Sequence, residues 1–216
     1  MTRIIAGAAG GRRLATAPGR GTRPTSDRTR EGLFGTVTAI RGSLAGARVL
    51  DLFAGSGAVG LEALSRGAAE VLLVEADARA ARVIRENIAA LGLPGARLVT
   101  GKVEHVLARG PGEASQRVLG QPTVAQPEVS PPEVGPLDFV FADPPYAVSE
   151  SVLALVLSAL VNRGWLAPGA LIAVERSTRS PEPNWPPGYE TDRSRRYGEA
   201  VLWYGLAAGT RACGNS

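Results

Sequence analysis

Cysteine, histidine and lysine occur once each in this 216-residue chain, as Cys213, His105 and Lys102. One cysteine leaves no internal disulfide and no thiolate metal cluster, so the expected compartment is the cytoplasm. A lone histidine on a short helix is a surface residue or a satisfied partner before it is a catalyst, and no metal-ligand cluster stands out. Long apolar runs are also missing, so no segment is expected to span a membrane. The opening residues Met1-Thr2-Arg3-Ile4-Ile5-Ala6-Gly7 lack the apolar core of a secretion signal.

What is present suits one globular core with a small appendage: 44% hydrophobic and 20% charged residues. The net charge of +4 is unevenly spread. Residues 1–48 hold nine arginines against Asp27 and Glu31, a surplus of seven that leaves −3 for the remainder. A basic arm on a mildly acidic body suggests a polyanionic partner, most simply nucleic acid. Genomic base composition explains arginine in place of lysine, but not its clustering at one end.

Residues 3–17 read as a β-hairpin around Gly10-Gly11 that must pack on the body or on a ligand, because an isolated hairpin is marginal. Residues 18–24 form a Gly/Arg/Pro loop. Thr25-Ser26-Asp27 then caps a helix that runs to about Ile40. From Arg48 strands alternate with helices, which implies a mostly parallel sheet. Strands are expected at 49–53, 70–75, 96–100, 137–142 and 170–175, with helices at 58–65, 77–91, 102–108 and 149–161. A closing hairpin at 189–206 turns at Gly198. Residues 110–136 are rich in Pro, Gln, Glu, Ser and Val without periodicity and read as a flexible insertion; 208–216 read as a tail. Trp165, Trp185 and Trp203 read as packing residues. The expected domains are therefore a basic arm at 1–24 and an α/β body at 25–207.

Two stretches carry chemistry. Asp143-Pro144-Pro145-Tyr146 follows the apolar run Leu137-Asp138-Phe139-Val140-Phe141-Ala142. Two prolines after a buried strand make a stiff turn at its carboxyl end, where open α/β sheets bind ligands. A carboxylate, a carbonyl and a flat ring there suit a planar, amine-bearing substrate such as a nucleobase. A helix-capping Asp with a packed Tyr would account for the same residues taken alone.

The second stretch is Asp51-Leu52-Phe53-Ala54-Gly55-Ser56-Gly57-Ala58-Val59-Gly60, with Glu75 about 20 residues after Gly55. Glycines admit close backbone approach, and the acid can accept from both hydroxyls of a ribose. A nicotinamide-dependent oxidoreductase shares this pattern. Asp51 weighs against it, since a carboxylate beside a pyrophosphate is repulsive, whereas the sulfonium and ammonium of S-adenosylmethionine would be attracted.

On these residues the chain resembles the class I S-adenosylmethionine-dependent methyltransferases, and its D-P-P-Y turn those acting on exocyclic amines of bases. With Arg23-Pro24-Thr25-Ser26-Asp27-Arg28-Thr29-Arg30-Glu31-Gly32-Leu33-Phe34 it is similar, over nearly the whole chain, to the bacterial 16S rRNA guanine-N2 methyltransferase family known as RsmD. The resemblance implies a Rossmann-like, mostly parallel seven-stranded sheet with flanking helices and an N-terminal hairpin extension. It implies S-adenosylmethionine held by Asp51, Phe53, Ala54, Gly55, Gly57, Glu75, Ala76, Lys102 and Val103. It further implies methylation of N2 of a specific guanine in 16S rRNA, within an assembling or assembled 30S subunit, by a monomer. Lys102-Val103 departs from the family, which usually has an acid there; contact with the adenine amine then falls to backbone groups or Glu104. The 110–136 insertion also looks longer than usual.

Asp143 and the Pro144 carbonyl would each accept one amine N–H, orienting the group for in-line attack, while Tyr146 stacks on a base taken out of its stack. Arg12, Arg13, Arg20, Arg23 and Arg28 are the candidates for RNA contact. Arg193, Arg195 and Arg196 beside Tyr197 suit either RNA contact or a solvated hairpin. Adenine's amine would fit the same turn, so a DNA adenine-N6 methyltransferase is the nearest rival, and a dehydrogenase the next.

Overall fold

Strands whose interior residues are apolar without alternation need cover on both faces. The computed structural model, which describes residues 2–16, 26–111 and 135–209, supplies it. In chain order the elements are β1 Thr2–Arg3, β2 Arg13–Leu14, α1 Asp27–Arg41, β3 Arg48–Leu52, α2 Ala58–Ser65, β4 Glu70–Glu75, α3 Ala78–Leu91, β5 Ala96–Thr100, α4 Val103–Leu107, β6 Leu137–Ala142, α5 Glu150–Asn162, β7 Leu166–Ser177, β8 Tyr189–Tyr197 and β9 Ala200–Ala207. The main sheet has seven strands in the order β5-β4-β3-β6-β7-β9-β8. Its first five are parallel, and β9 and β8 close it as antiparallel strands. The seven-stranded, mostly parallel sheet implied by the family resemblance is what the chain forms.

Two hydrophobic layers flank the sheet. One joins Leu33, Phe34 and Val37 of α1 with Leu61 and Leu64 of α2; the other joins Leu153, Val156, Leu157 and Leu160 of α5 with Val103, Val106 and Leu107 of α4. Local chemistry fixes the helix starts: the Ser26 hydroxyl accepts from the Thr29 amide, Asp77 from Arg79 and Ala80, and Ser149 from Val152. Gly92 ends α3 at φ 62°, as its place after Leu91 predicts.

β7 is longer than the apolar run 170–175. Leu166 pairs with Leu137 across a register shift, and Gly169 at φ 72° absorbs the irregularity. Pro168-Gly169 therefore reads as a break in sequence although the strand continues through it. Trp165 is fully buried and donates from Nε1 to the Leu107 carbonyl at 3.0 Å, and Trp185 stacks obliquely on Tyr189 at 5.4 Å.

The hairpin at the N-terminus packs on the body, one of the two outcomes that its sequence allowed. Pairing between β1 and β2 covers only Thr2↔Leu14 and Arg3↔Arg13. Ile4 and Leu14 nonetheless enter the same core as α1 and α2. Glu62 of α2, fully buried, accepts from the amides of Ile5 (2.6 Å) and Ala6 (3.0 Å) and from Arg66 Nε (2.8 Å). Arg30, also fully buried, donates to Thr2 Oγ1, the Arg3 carbonyl and Asp27. Over residues 2–16, then, the arm is docked on the body, with Ile4, Ala9 and Leu14 entering its core. Much of the arginine cluster is internal structure as well: Arg12 donates to the Leu91 and Ala90 carbonyls at the end of α3, and Arg41 holds Asp138.

Glu62→Ala is expected to leave two backbone amides and Arg66 without their acceptor in a buried setting. Losing one partner of such a group costs about 3 kcal/mol, or a fall in Tm of about 6–12 °C for a chain of this size. Thermal unfolding followed by circular dichroism checks it; an unchanged Tm would show that the hairpin is held by its apolar residues alone.

Candidate active site

Strand register assembles the site. Val74, Leu52, Ala142 and Val174 lie in one row across β4, β3, β6 and β7. The next residues along those strands are Glu75, Phe53, Asp143 and Glu175, so three carboxylates emerge side by side at the carboxyl edge, on strands spaced by about 4.8 Å. Asp51 is a fourth, one residue inside the row. After β3 the chain winds to one side through β4 and β5 and then crosses to β6 on the other. That reversal opens the crevice where doubly wound sheets take their ligands. A cleft of about 1030 Å³ occupies it, lined by Asp51, Phe53, Glu75, Asp143 and Tyr146 among others.

The glycine loop is shaped by hydrogen bonds to acids. Phe53 adopts φ 59°, unusual for a residue with a Cβ, and Gly55 and Gly57 follow at φ 58° and 76°. Glu75 holds the loop from the neighbouring strand: its Oε2 accepts from the Gly55 amide at 2.7 Å and its Oε1 from the Asp77 amide at 2.8 Å. Asp51 Oδ2 accepts from the Gly60 amide in the first turn of α2 at 2.8 Å. A Cβ on Gly60 would come within 2.7 Å of Val71 and 3.2 Å of Asp51 Oδ2, so only glycine lets helix, strand and carboxylate meet. Burial pushes the Asp51 carboxyl up to about 8, with the Gly60 bond opposing and the Glu75 charge adding to the rise.

The second motif is a turn fixed at both ends. Asp143 is half-buried, Pro144 buried, and Tyr146 stands 76% exposed at the cleft rim. The Val148 amide donates to the Pro145 carbonyl at 2.8 Å. Beyond it Arg176, buried at the end of β7, pairs with Glu150 at the start of α5. The turn is thus pinned between β6 and α5.

Of the residues singled out from sequence, Asp51, Phe53, Ala54, Gly55, Glu75, Ala76, Lys102, Val103, Asp143, Pro144 and Tyr146 line this one cleft. Gly57 does not; it is the N-cap of α2, packed beneath on Leu73. Arg28 reaches the cleft from the first turn of α1, whereas Arg12 and Arg13 lie away from it, Arg12 at the end of α3 and Arg13 exposed. Arg20, Arg23 and the 112–134 part of the insertion lie outside the described residues. His105 is exposed. Among the described residues no three His, Cys, Asp or Glu side chains group as metal ligands would.

Sequence reading missed Glu175, Tyr197 and Glu199, which also line the cleft. Glu175 had a signal: like Glu75, it is an acid closing an apolar strand. Tyr197 and Glu199 had none, because they reach the site only through the β8–β9 turn. The turn is seated on α1 at Gly32, where any Cβ would collide with the Tyr197 ring.

Comparison with known proteins agrees with this geometry. The family described as "Conserved hypothetical protein 95" matches residues 2–205. Ribosomal RNA small subunit methyltransferase D of Escherichia coli K12 is 34% identical over 199 residues, covering 92% of this chain and 86% of that protein. The Haemophilus influenzae protein of the same name is 35% identical over 179 residues, covering 83% and 80%. Among solved structures, Escherichia coli yhhF superposes with a TM-score of 0.75 at 32% identity, over 95% of this chain and 97% of that one. The RNA methyltransferase of Salinibacter ruber, at 14% identity and a TM-score of 0.56, shares the fold. A match spanning nearly the whole chain, on a class I methyltransferase sheet, means that this chain belongs to the ribosomal RNA small subunit methyltransferase D family, RsmD.

Proposed function

We propose that this chain methylates the exocyclic N2 of a specific guanine in 16S rRNA, with S-adenosylmethionine as donor, in the cytoplasm and on an assembling or assembled 30S subunit. The observation that carries the reading is the row that sets Asp143 beside the glycine loop, one strand away. The relatives' names supply the rRNA.

The residues fit the donor. A ribose can hydrogen-bond to Glu75, whose oxygens each keep a lone pair beyond the bonds to Gly55 and Asp77. Glu75, Asp143 and Glu175 at the strand ends, with Asp51 able to ionise when a cation arrives, favour a cation and oppose a dinucleotide's pyrophosphate. When bound, S-adenosylmethionine supplies an electrophilic methyl group on a sulfonium. The protein's own part is positioning: the Asp143 carboxylate and the Pro144 carbonyl accept the two amine hydrogens and point the nitrogen lone pair into the cleft. Tyr146, exposed at the rim, offers its ring to a base withdrawn from its stack.

Undermethylated 30S particles are expected to take labelled methyl, and mass mapping of 16S rRNA from a deletion strain to lack one N2-methylguanosine. Transfer to duplex DNA in place of 30S particles would favour the adenine reading, which the same turn accommodates. Glu75→Ala is expected to weaken S-adenosylmethionine binding about 100-fold in calorimetry, since two hydrogen bonds to a charged group are lost and the loop loses its anchor. A change below threefold would remove Glu75 from the ribose.

A further inference from the structure

A second, smaller cavity of about 340 Å³ adjoins the cleft, and Tyr146, Ser177 and Glu199 line both. Its remaining walls are Thr178, Arg179 and Ser180. It exists because β7 extends past the apolar run to Ser177, which pairs with Ala200 of β9. The chain then turns sharply: the Ser180 amide donates to the Ser177 carbonyl at 3.0 Å, the Arg179 amide to Ser177 Oγ at 3.2 Å, and the Thr178 amide to the Glu199 carbonyl at 2.9 Å. The turn is thereby rigid and anchored to the β8–β9 connection. It presents the exposed Arg179 among three hydroxyl-bearing residues, in a cavity that Tyr146 also lines.

Such a set matches one nucleotide: a phosphate for Arg179 and the hydroxyls, and a flat surface at Tyr146 for a base or ribose. Its volume is at the low end for ligand pockets and admits a single residue of a strand. We propose that this cavity binds the nucleotide next to the target base, with its phosphate on Arg179, so that Tyr146 separates the two positions. The inference rests on the nucleic-acid reading of the main cleft. A base can enter that cleft only if its strand continues past Tyr146, and a phosphate bound there fixes which neighbour the strand presents.

The test is a double-mutant cycle between protein and RNA, using the full chain and a short single-stranded RNA containing the target sequence. Wild-type protein is expected to bind about 10-fold more weakly when the phosphate flanking the target guanosine is replaced by an uncharged methylphosphonate. Arg179→Ala is expected to lose about the same on unmodified RNA, to show no further loss on the modified RNA, and to reduce the slope of log K against log salt by about 0.7. Arg179→Lys restores part of the affinity. S-adenosylmethionine affinity, measured in parallel, reports that the variant is folded. Equal losses on the modified RNA in wild type and variant, or an unchanged salt slope, overturn the subsite. The cycle reads binding and not turnover, so it stands apart from the methylation assay. Absence of methyl transfer to rRNA by wild-type protein would defeat the guanine reading alone, and the same cycle on whichever strand is methylated still decides the subsite.

Discussion

Asp143→Ala is expected to slow methyl transfer by about 10²–10³-fold while S-adenosylmethionine still binds within a few-fold of wild type. The amine of guanine is a poor nucleophile because its lone pair is delocalised into the ring. Attack requires that the nitrogen pyramidalise, and two acceptors held on a rigid turn favour the pyramidal, partly cationic form over the planar one. Asp143 is held between the end of β6 and buried Pro144, in a turn pinned by the Val148–Pro145 hydrogen bond and by Arg176 on Glu150. Loss of one preorganised partner of a developing charge costs about 3–4 kcal/mol, hence the factor. The carboxylate need not be a strong base, since the amine proton becomes acidic only as the N–C bond forms. Asp143→Asn, which keeps an acceptor oxygen without the charge, should fall between. Single-turnover rates with prebound cofactor separate chemistry from binding. A wild-type rate in the alanine variant would return Asp143 to the role of a structural cap.

Asp51 gives the second large effect, and it is read as a pH dependence. With its carboxyl raised by burial to about 8, ligand-free Asp51 is mostly protonated at neutral pH. A cation arriving in the cleft favours the carboxylate, so binding expels a proton. S-adenosylmethionine affinity should therefore rise by up to about tenfold per pH unit from about pH 6 to 8 and level off above, with close to one proton released per molecule bound near pH 7. The comparison belongs below pH 8, where an α-amino group such as the donor's remains charged. Calorimetry in two buffers of different ionisation enthalpy counts the protons. Asp51→Asn should bind about 100-fold more weakly and lose the slope. Stability follows with the opposite sign: the folded state holds a proton that the unfolded state has lost above its ordinary value of 3.8. Wild-type stability thus falls as pH rises from about 4 to 8, and the Asn variant should not show that decline. A flat affinity profile in wild type would mean that the donor's charge never reaches Asp51.

Much of this was legible in sequence because local chemistry carried it. The strand–glycine–helix pattern at 51–60, the acid closing β4 and the double proline after β6 are each encoded by adjacent residues. Burial in a parallel sheet then leaves little choice of register. Long-range packing was not legible. Arg12 and Arg30 look alike in a basic segment, yet one caps α3 and the other is fully buried against Asp27 and the hairpin backbone. No local feature distinguishes Glu62, which anchors the hairpin, from a surface acid of an amphipathic helix. Tyr197 and Glu199 came to the cleft because Gly32 leaves room for a ring from another part of the chain.

The sequence by itself determined the sheet, the glycine loop, the rigid acidic turn and the family resemblance, since each depends on spacings of a few residues and on the alternation of strand and helix. Only the tertiary structure decided what Arg12, Arg30 and Arg41 bond to and what lies beyond Tyr146. Whether a guanidinium meets a carbonyl, a carboxylate or solvent depends on elements far apart in the chain, and the second cavity forms where the end of β7, the start of β9 and the D-P-P-Y turn come together.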